Sequence, residues 1–170
     1  LIRELFIFIK LILNSYLSIA FLYMMNNSDK YNLLRFVEAQ EAYGIYDIAV
    51  SELERGRKRS HWIWFVFPQM KGLGYSYNSN FYGITCREEA EAYLENKILN
   101  ERLRKVCRIL LEQVRGGRSV HQILGGIDSY KVESCLTLFD AVLPNDIFAE
   151  CLEVCYQGER DEKSLDMLRS

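Results

Sequence analysis

Apolar residues recur along most of this chain at intervals of three and four, the spacing of a helix with one buried face. Leu33, Leu34, Phe36 and Val37 form the first such stripe and predict a helix to Gln40, capped by Ser28 or Asp29. Ile45, Ile48, Ala49 and Leu53 predict a second, running to about Arg55 and stopped by Gly56. Thr85 and Glu88 have the spacing of a capping box for a helix to about Glu95. Leu103, Val106, Leu110 and Leu111 mark another, from about Leu99 to Val114, which Gly116 and Gly117 end. Ser119 opens a short turn to Leu124. Asp128 is expected to cap a helix to Leu143, with Val132, Leu136, Phe139 and Leu143 inward. Asp146 caps the next, to about Tyr156, and Gly158 closes it; Asp161 or Ser164 starts a last short helix. Trp62 to Phe67 is an unbroken apolar run that fits either a buried strand or a buried helical turn, and Tyr75 to Tyr82 reads as a short helix. Pro68 and Pro144 are the only prolines. The predicted fold class is all-α: a single-domain array of about seven or eight short helices.

The first 25 residues depart from this pattern. Nineteen are apolar, the exceptions being Arg3, Glu4, Lys10, Asn14, Ser15 and Ser18. Residues 5–25 approach the ~20 residues that a bilayer core requires, but a mid-span charge such as Lys10 costs about 2.5–3.5 kcal/mol on insertion scales. Residues 1–27 are therefore read as an apolar extension, either dispensable or a membrane anchor, with Met24 or Met25 as the expected start. Residues 28–170 form the single helical domain, expected to be cytoplasmic.

Composition narrows the function classes. Apolar residues make up 49% and charged residues 26% of the 170, the balance of an ordinary globular chain. The formal net charge is −2; Arg3, Glu4 and Lys10 give the first 25 residues +1 and leave −3 for the rest. A net negative domain is a poor candidate for nucleic-acid binding, which rests on a basic surface. The five cysteines, Cys86, Cys107, Cys135, Cys151 and Cys155, are odd in number and lack paired spacing, so no disulfide framework is expected. Cys151 and Cys155 share a helix face, but no second ligand pair completes a zinc set, and no metal or cofactor is expected.

Three segments carry candidate chemistry. Arg57, Lys58, Arg59, Ser60 and His61 lead into Trp62 and Trp64. The three cations favour a neutral imidazole at His61, suited to a general base. Cations beside aromatic rings also suit an anionic, ring-bearing ligand. Gln69, Gly72 and Gly74 follow; an amide and two glycines can present hydrogen-bonding groups to a ligand, although the spacing is neither a Walker loop nor a dinucleotide fingerprint. Asp128, Lys131 and Ser134 stand three apart on successive helical turns and supply a base, a cation and a hydroxyl. In this reading His61, Asp128 and Lys131 are the catalytic candidates, and the remaining residues, Trp62 and Ser134 included, bind a nucleotide-like small molecule related to ADP-ribose. No Ser-His-Asp order, HExxH motif or paired carboxylates support protease or glycosidase chemistry. The alternative is a helical interaction module without catalysis. The sequence leaves the oligomeric state open.

Gly56–Ser76 (GRKRSHWIWFVFPQMKGLGYS), Arg87–Leu103 and Asp128–Pro144 resemble a bacterial family, domain of unknown function family 1810, some of whose members carry the label calpastatin. Leu33–Glu41 and Tyr156–Leu168 resemble that family's two ends, so the likeness spans about residues 28–170. It implies a compact, mostly helical single domain and brings no established activity, so function has to be argued from the site.

Overall fold

The computed structural model describes residues 29–169. The chain divides into two units, Leu1–Leu33 and Leu34–Ser170. In the described end of the first, the Asp29 carboxylate accepts the Leu33 N–H at 2.6 Å, and Asn32 takes φ 51° in the same turn. Asp29 thus closes a turn rather than capping a helix directly. The expectations for Ser28 and for an anchor over residues 5–25 lie outside the described residues.

The second unit is helical throughout. Its elements are α1 (Leu34–Glu41), a 3-10 turn (Ala42–Gly44), α2 (Ile45–Glu54), α3 (Ile63–Val66), α4 (Tyr77–Phe81), α5 (Arg87–Glu95), α6 (Lys97–Arg115), α7 (Val120–Leu124), α8 (Gly126–Val142), α9 (Ile147–Tyr156) and α10 (Glu162–Arg169). No strand occurs among the described residues; a single parallel bridge joins Met70 to Ile84. No described helix is long and apolar enough to cross a membrane.

Helices α6 and α8 organise the unit. α6 packs against α2, α5 and α9, and α8 against α5, α7, α9 and α10. α6 turns Leu99, Leu103, Val106, Cys107, Leu110 and Leu111 inward, a stripe that buries each leucine for roughly 1.5–3 kcal/mol. The core is rich in rings: Phe36 meets Tyr93 edge-on at 5.2 Å, and Phe139 lies 5.5 Å from Phe148. The ambiguous run at Trp62–Phe67 is one turn of helix with every ring but Trp64 buried, and Pro68 ends it.

Several helix starts match their sequence signals. Ser119 and Gln122 form a reciprocal capping box, and the Asp146 carboxylate accepts the Ile147 N–H at 2.6 Å. Others shift. Cys86, not Thr85, occupies the N-cap of α5 and makes no side-chain cap bond. The Thr85 N–H and hydroxyl bind Glu89, at 2.8 and 2.5 Å, instead of Glu88. Glu89 is the buried position of the pair, because its other oxygen holds Arg35 at 2.6 Å, while Glu88 is exposed. Asp128 does not cap α8, which starts two residues earlier behind Gly125. Ile48 and Leu143, expected inward, are exposed; α8 ends at Val142, so Leu143 leaves the helical register.

All five cysteines are free, and Cys107, Cys135 and Cys151 are buried. Burial pushes the Cys155 thiol up to about 12, which makes it a poor nucleophile. No group of three or more His, Cys, Asp or Glu among the described residues is placed to hold a metal ion.

Tyr93 is fully buried, and its hydroxyl finds no hydrogen-bond partner among the described residues. Its neighbour Gln40 donates to the Phe65 carbonyl at 2.8 Å and accepts from Arg102 at 3.1 Å. Tyr93→Phe removes an orphaned polar group and keeps the ring, so stability should hold or rise by about 1 kcal/mol in urea unfolding. A loss above 1 kcal/mol would reveal a hydroxyl partner.

Candidate functional site

The first and third candidate segments meet. The loop after α2 carries Lys58, whose ammonium donates to Asp128 on α8 at 2.7 Å and to the Ser60 carbonyl at 2.6 Å. The other oxygen of Asp128 holds Lys131 at 2.8 Å. One carboxylate thus bridges two lysines from segments seventy residues apart in the chain. Burial pushes the Asp128 carboxyl up, but the hydrogen bonds from Lys131 and Lys58 outweigh it and keep its pKa below the ordinary value. Asp128 is therefore an ionised clamp rather than a proton acceptor at neutral pH. Each lysine also lies over an indole, Lys58 at 5.0 Å from Trp62 and Lys131 at 4.8 Å from Trp64.

Glu52, in the buried stripe of α2, shapes the loop. Its carboxylate accepts from the Arg59 N–H at 2.8 Å, the Ser60 N–H at 3.0 Å, the Ser60 hydroxyl at 2.5 Å and the Trp62 indole N–H at 2.8 Å. Burial raises its pKa, yet these four donors dominate and hold it at about 2. Gly56 makes the preceding turn possible, with φ 70° and the Arg118 side chain where a Cβ would stand. The Lys58 N–H then bonds the Ile123 carbonyl at 2.6 Å, tying the loop to α7.

These bonds separate the candidates into two sets. Ser60 is committed to Glu52, and Trp62 has 0% exposure, so it offers no ring face to a ligand, contrary to the sequence expectation. The reason is its position as the largest side chain at the head of a buried helical turn, with its one polar atom satisfied by Glu52. Trp64, half-buried under Lys131, is the indole at the surface. Arg57, Arg59 and His61 are exposed, and neither arginine has an ion-pair partner among the described residues. Ser134 faces another way: it donates to Asp161 at 2.8 Å, and Asp161 also takes the Ser164 N–H and hydroxyl, fastening α10 to α8. Its role there is packing of α10, not service at the Lys58–Asp128–Lys131 bridge.

Sequence reasoning missed Glu52, although a carboxylate inside an apolar stripe, eight residues before Ser60, is itself a signal. It also missed a ring pair between α7 and α8. His121 and Tyr130 meet edge-on at 5.9 Å, and Tyr130 is largely exposed. Arg57, Lys58, Arg59 and Lys131, against Glu52 and Asp128, leave this face at +2 in a chain of net charge −2.

The remaining candidates sit on the loop after α3. The backbone of Gln69 accepts the Ile84 N–H at 2.9 Å, and its side chain is buried. Gly72 turns at φ 103°, and Gly74 lies against Ser79. A separate concavity of about 660 Å³ lies between α6 and the start of α9. Its charges largely cancel, since Arg104 grips Asp146 with two bonds and Arg115 pairs with Glu150. It offers an anion less than the Lys58 face does.

The family model for "Protein of unknown function (DUF1810)" matches residues 30–168. The chain belongs to the DUF1810 family. A similar solved structure is that of the conserved hypothetical protein Rv1873 from Mycobacterium tuberculosis. That protein is 41% identical, with a TM-score of 0.79 over 84% of this chain and 99% of its own. No curated protein matches the chain. As a DUF1810 member, the chain shares its fold with that neighbour, and the function has to be argued from its site.

Proposed function

We propose that the face built by the Arg57–His61 loop and the start of α8 binds an anionic, ring-bearing small molecule of the nucleotide class, to which ADP-ribose belongs. The observation that carries this reading is the Lys58–Asp128–Lys131 bridge. It fixes two ammonium groups in place with one positive charge in excess, beside the uncommitted Arg57 and Arg59. Guanidinium groups match phosphate geometry with two parallel hydrogen bonds. Trp64 supplies a ring face next to these cations. Lys131 and Asp128 serve binding in this arrangement, and His61 is the exposed group available for proton transfer to a bound ligand.

Thermal unfolding of the full chain against ADP-ribose, ADP and inorganic pyrophosphate tests the reading. A ligand at ~100 times its Kd adds about 2.7 kcal/mol. The midpoint should then rise roughly 5–11 °C. Arg57→Ala combined with Arg59→Ala should abolish that rise while leaving the ligand-free midpoint within about 2 °C, since both side chains are exposed. An unchanged midpoint with every anion rejects the proposal.

A second reading, a non-catalytic protein-interaction module, draws on one observation. Tyr75 and Tyr77 are exposed, and Tyr77 stacks on the partly exposed Phe81 at 5.6 Å, an aromatic surface of the kind enriched at interfaces. A self-associating chain in light scattering, returned to monomer by Tyr77→Ser, would favour it.

A further inference from the structure

Helices α6 and α9 enclose between them the concavity of about 660 Å³ described above. Small-molecule sites occupy about 300–1,000 Å³, so the space is of ligand size. Its charged lining is balanced, with Arg104, Arg108 and Arg115 against Glu112, Asp146 and Glu150. Two of the possible pairs are closed. Arg104 holds both oxygens of Asp146, at 2.5 and 2.9 Å, and Arg115 holds Glu150 at 2.5 Å. Arg108 and Glu112 form no ion pair among the described residues, although they stand four positions apart on α6 and share a face.

Helix energetics do not favour that arrangement. Arg108 precedes Glu112, which is the weaker order for an oppositely charged pair four apart. Glu112 lies in the last turn of α6, where the negative end of the helix disfavours a carboxylate. Both side chains are exposed, and both line the cavity. About 6 Å of helix axis separates them, at 1.5 Å per residue. Leu111, only 3% exposed, and Ile147 give the same cavity an apolar lining.

The cavity is therefore neutral overall, with one cation and one anion left open in it. A simple anion is repelled by Glu112 and a simple cation by Arg108. A molecule that carries both charges finds a partner for each. We propose that this cavity binds a small zwitterion, an α-amino acid, with its carboxylate on the Arg108 guanidinium and its ammonium on Glu112. A guanidinium takes a carboxylate through two parallel hydrogen bonds, and a carboxylate takes an ammonium as a compact charge. The amino-acid side chain lies against Leu111 and Ile147. The closed pairs brace the walls, because each joins α6 to the start of α9. The site shares no residue with the Lys58 face and stands whether or not that face binds a nucleotide.

The experiment titrates the full chain with each of the standard α-amino acids and follows the backbone amide resonance of Ile147 by NMR. At least one amino acid should bind saturably and move that resonance. Its N-acetyl form and its carboxamide form each lack one of the two charges and should bind at least tenfold more weakly. Arg108→Met and Glu112→Gln should each weaken the free amino acid at least tenfold. Both should leave the melting midpoint within about 2 °C, because the side chains are exposed. Arg57→Ala combined with Arg59→Ala should leave amino-acid binding unchanged, which separates this site from the Lys58 face. An Ile147 resonance that stays still with every amino acid overturns the proposal. So does a capped form that binds as well as the free one, or undiminished binding in either cavity variant. If a variant folds poorly, the comparison of free and capped forms on the unsubstituted chain decides alone.

Discussion

Replacing Glu89 with alanine is expected to destabilise the helical unit by about 3–5 kcal/mol. Arg35 and Glu89 are 8% and 2% exposed and meet at 2.6 Å. Arg35 also donates to the Phe81 carbonyl at 2.9 Å and to the Gly83 carbonyl at 3.3 Å, and its guanidinium lies 4.2 Å from the Phe36 ring centre. Glu89 in turn holds both groups of Thr85. The pair ties α1, the loop after α4 and the first turn of α5 into one joint. Removing the carboxylate takes from a buried guanidinium the counter-charge that Glu89 supplies, which costs far more than the net worth of the intact pair. Chemical unfolding should show the loss as a lower midpoint at unchanged slope. In a thermal melt it corresponds to roughly 6–20 °C at about 2–4 °C per kcal/mol. A change below 1 kcal/mol would mean that solvent reaches Arg35 and the joint is not buried in solution. The double change Arg35→Met with Glu89→Leu should recover much of the loss, because neither charge is then stranded.

Glu52 should show a comparable effect with a distinctive pH dependence. Its carboxylate accepts from four donors of Arg59, Ser60 and Trp62, so Glu52→Gln both weakens the acceptor and adds an NH2 facing N–H groups. A folded-state pKa of about 2 against an ordinary 4.5 corresponds to about 3 kcal/mol of stability. Because the folded value is depressed, that contribution is complete above about pH 4.5 and is lost as pH falls through about 2. The stability gap between the parent chain and Glu52→Gln should therefore shrink by about 3 kcal/mol from pH 6 to pH 2, measured by urea unfolding at each pH. A gap independent of pH would show that the carboxylate is not held by these donors. The same variant loosens the loop that carries Arg57 and Arg59, so ligand affinity at the Lys58 face should fall with it. The two exposed arginines offer the cleaner test of binding, because they can be removed without disturbing Glu52.

Part of the site was legible in one dimension. The basic run before Trp62 and the Asp128–Lys131 pair both stand out by residue type, and the i,i+3 spacing correctly predicts their ion pair. That Lys58 crosses to Asp128 was not legible, because the packing of α7 and α8 against the loop sets that distance and no local pattern encodes it. The same limit explains Trp62 and Trp64. Two identical residues two positions apart in an apolar hexapeptide differ only in which face of a single helical turn they occupy, and the neighbours of that turn decide which is covered. Ser134 shows the converse error. Its spacing from Lys131 suggests a shared row, yet α10 lies against its side of α8 and takes its hydroxyl through Asp161.

The sequence by itself determined the helical class, the approximate positions of the helices and most of their stops. These follow from short-range physics: a 3.6-residue period, side chains that satisfy free N–H groups at helix starts, and glycines that reverse the chain. Where several residues compete for one role, as Thr85 with Cys86 and Glu88 with Glu89, only the tertiary structure decided. The outcome turned on Arg35, fifty residues away, demanding a buried counter-charge. The tertiary structure also decided which charges remain uncommitted, since an arginine is available to a ligand only when folding brings no carboxylate within its reach. Arg57 and Arg59 form no ion pair among the described residues, and the buried carboxylate of Glu52 is filled by the backbone and side chains of their own loop.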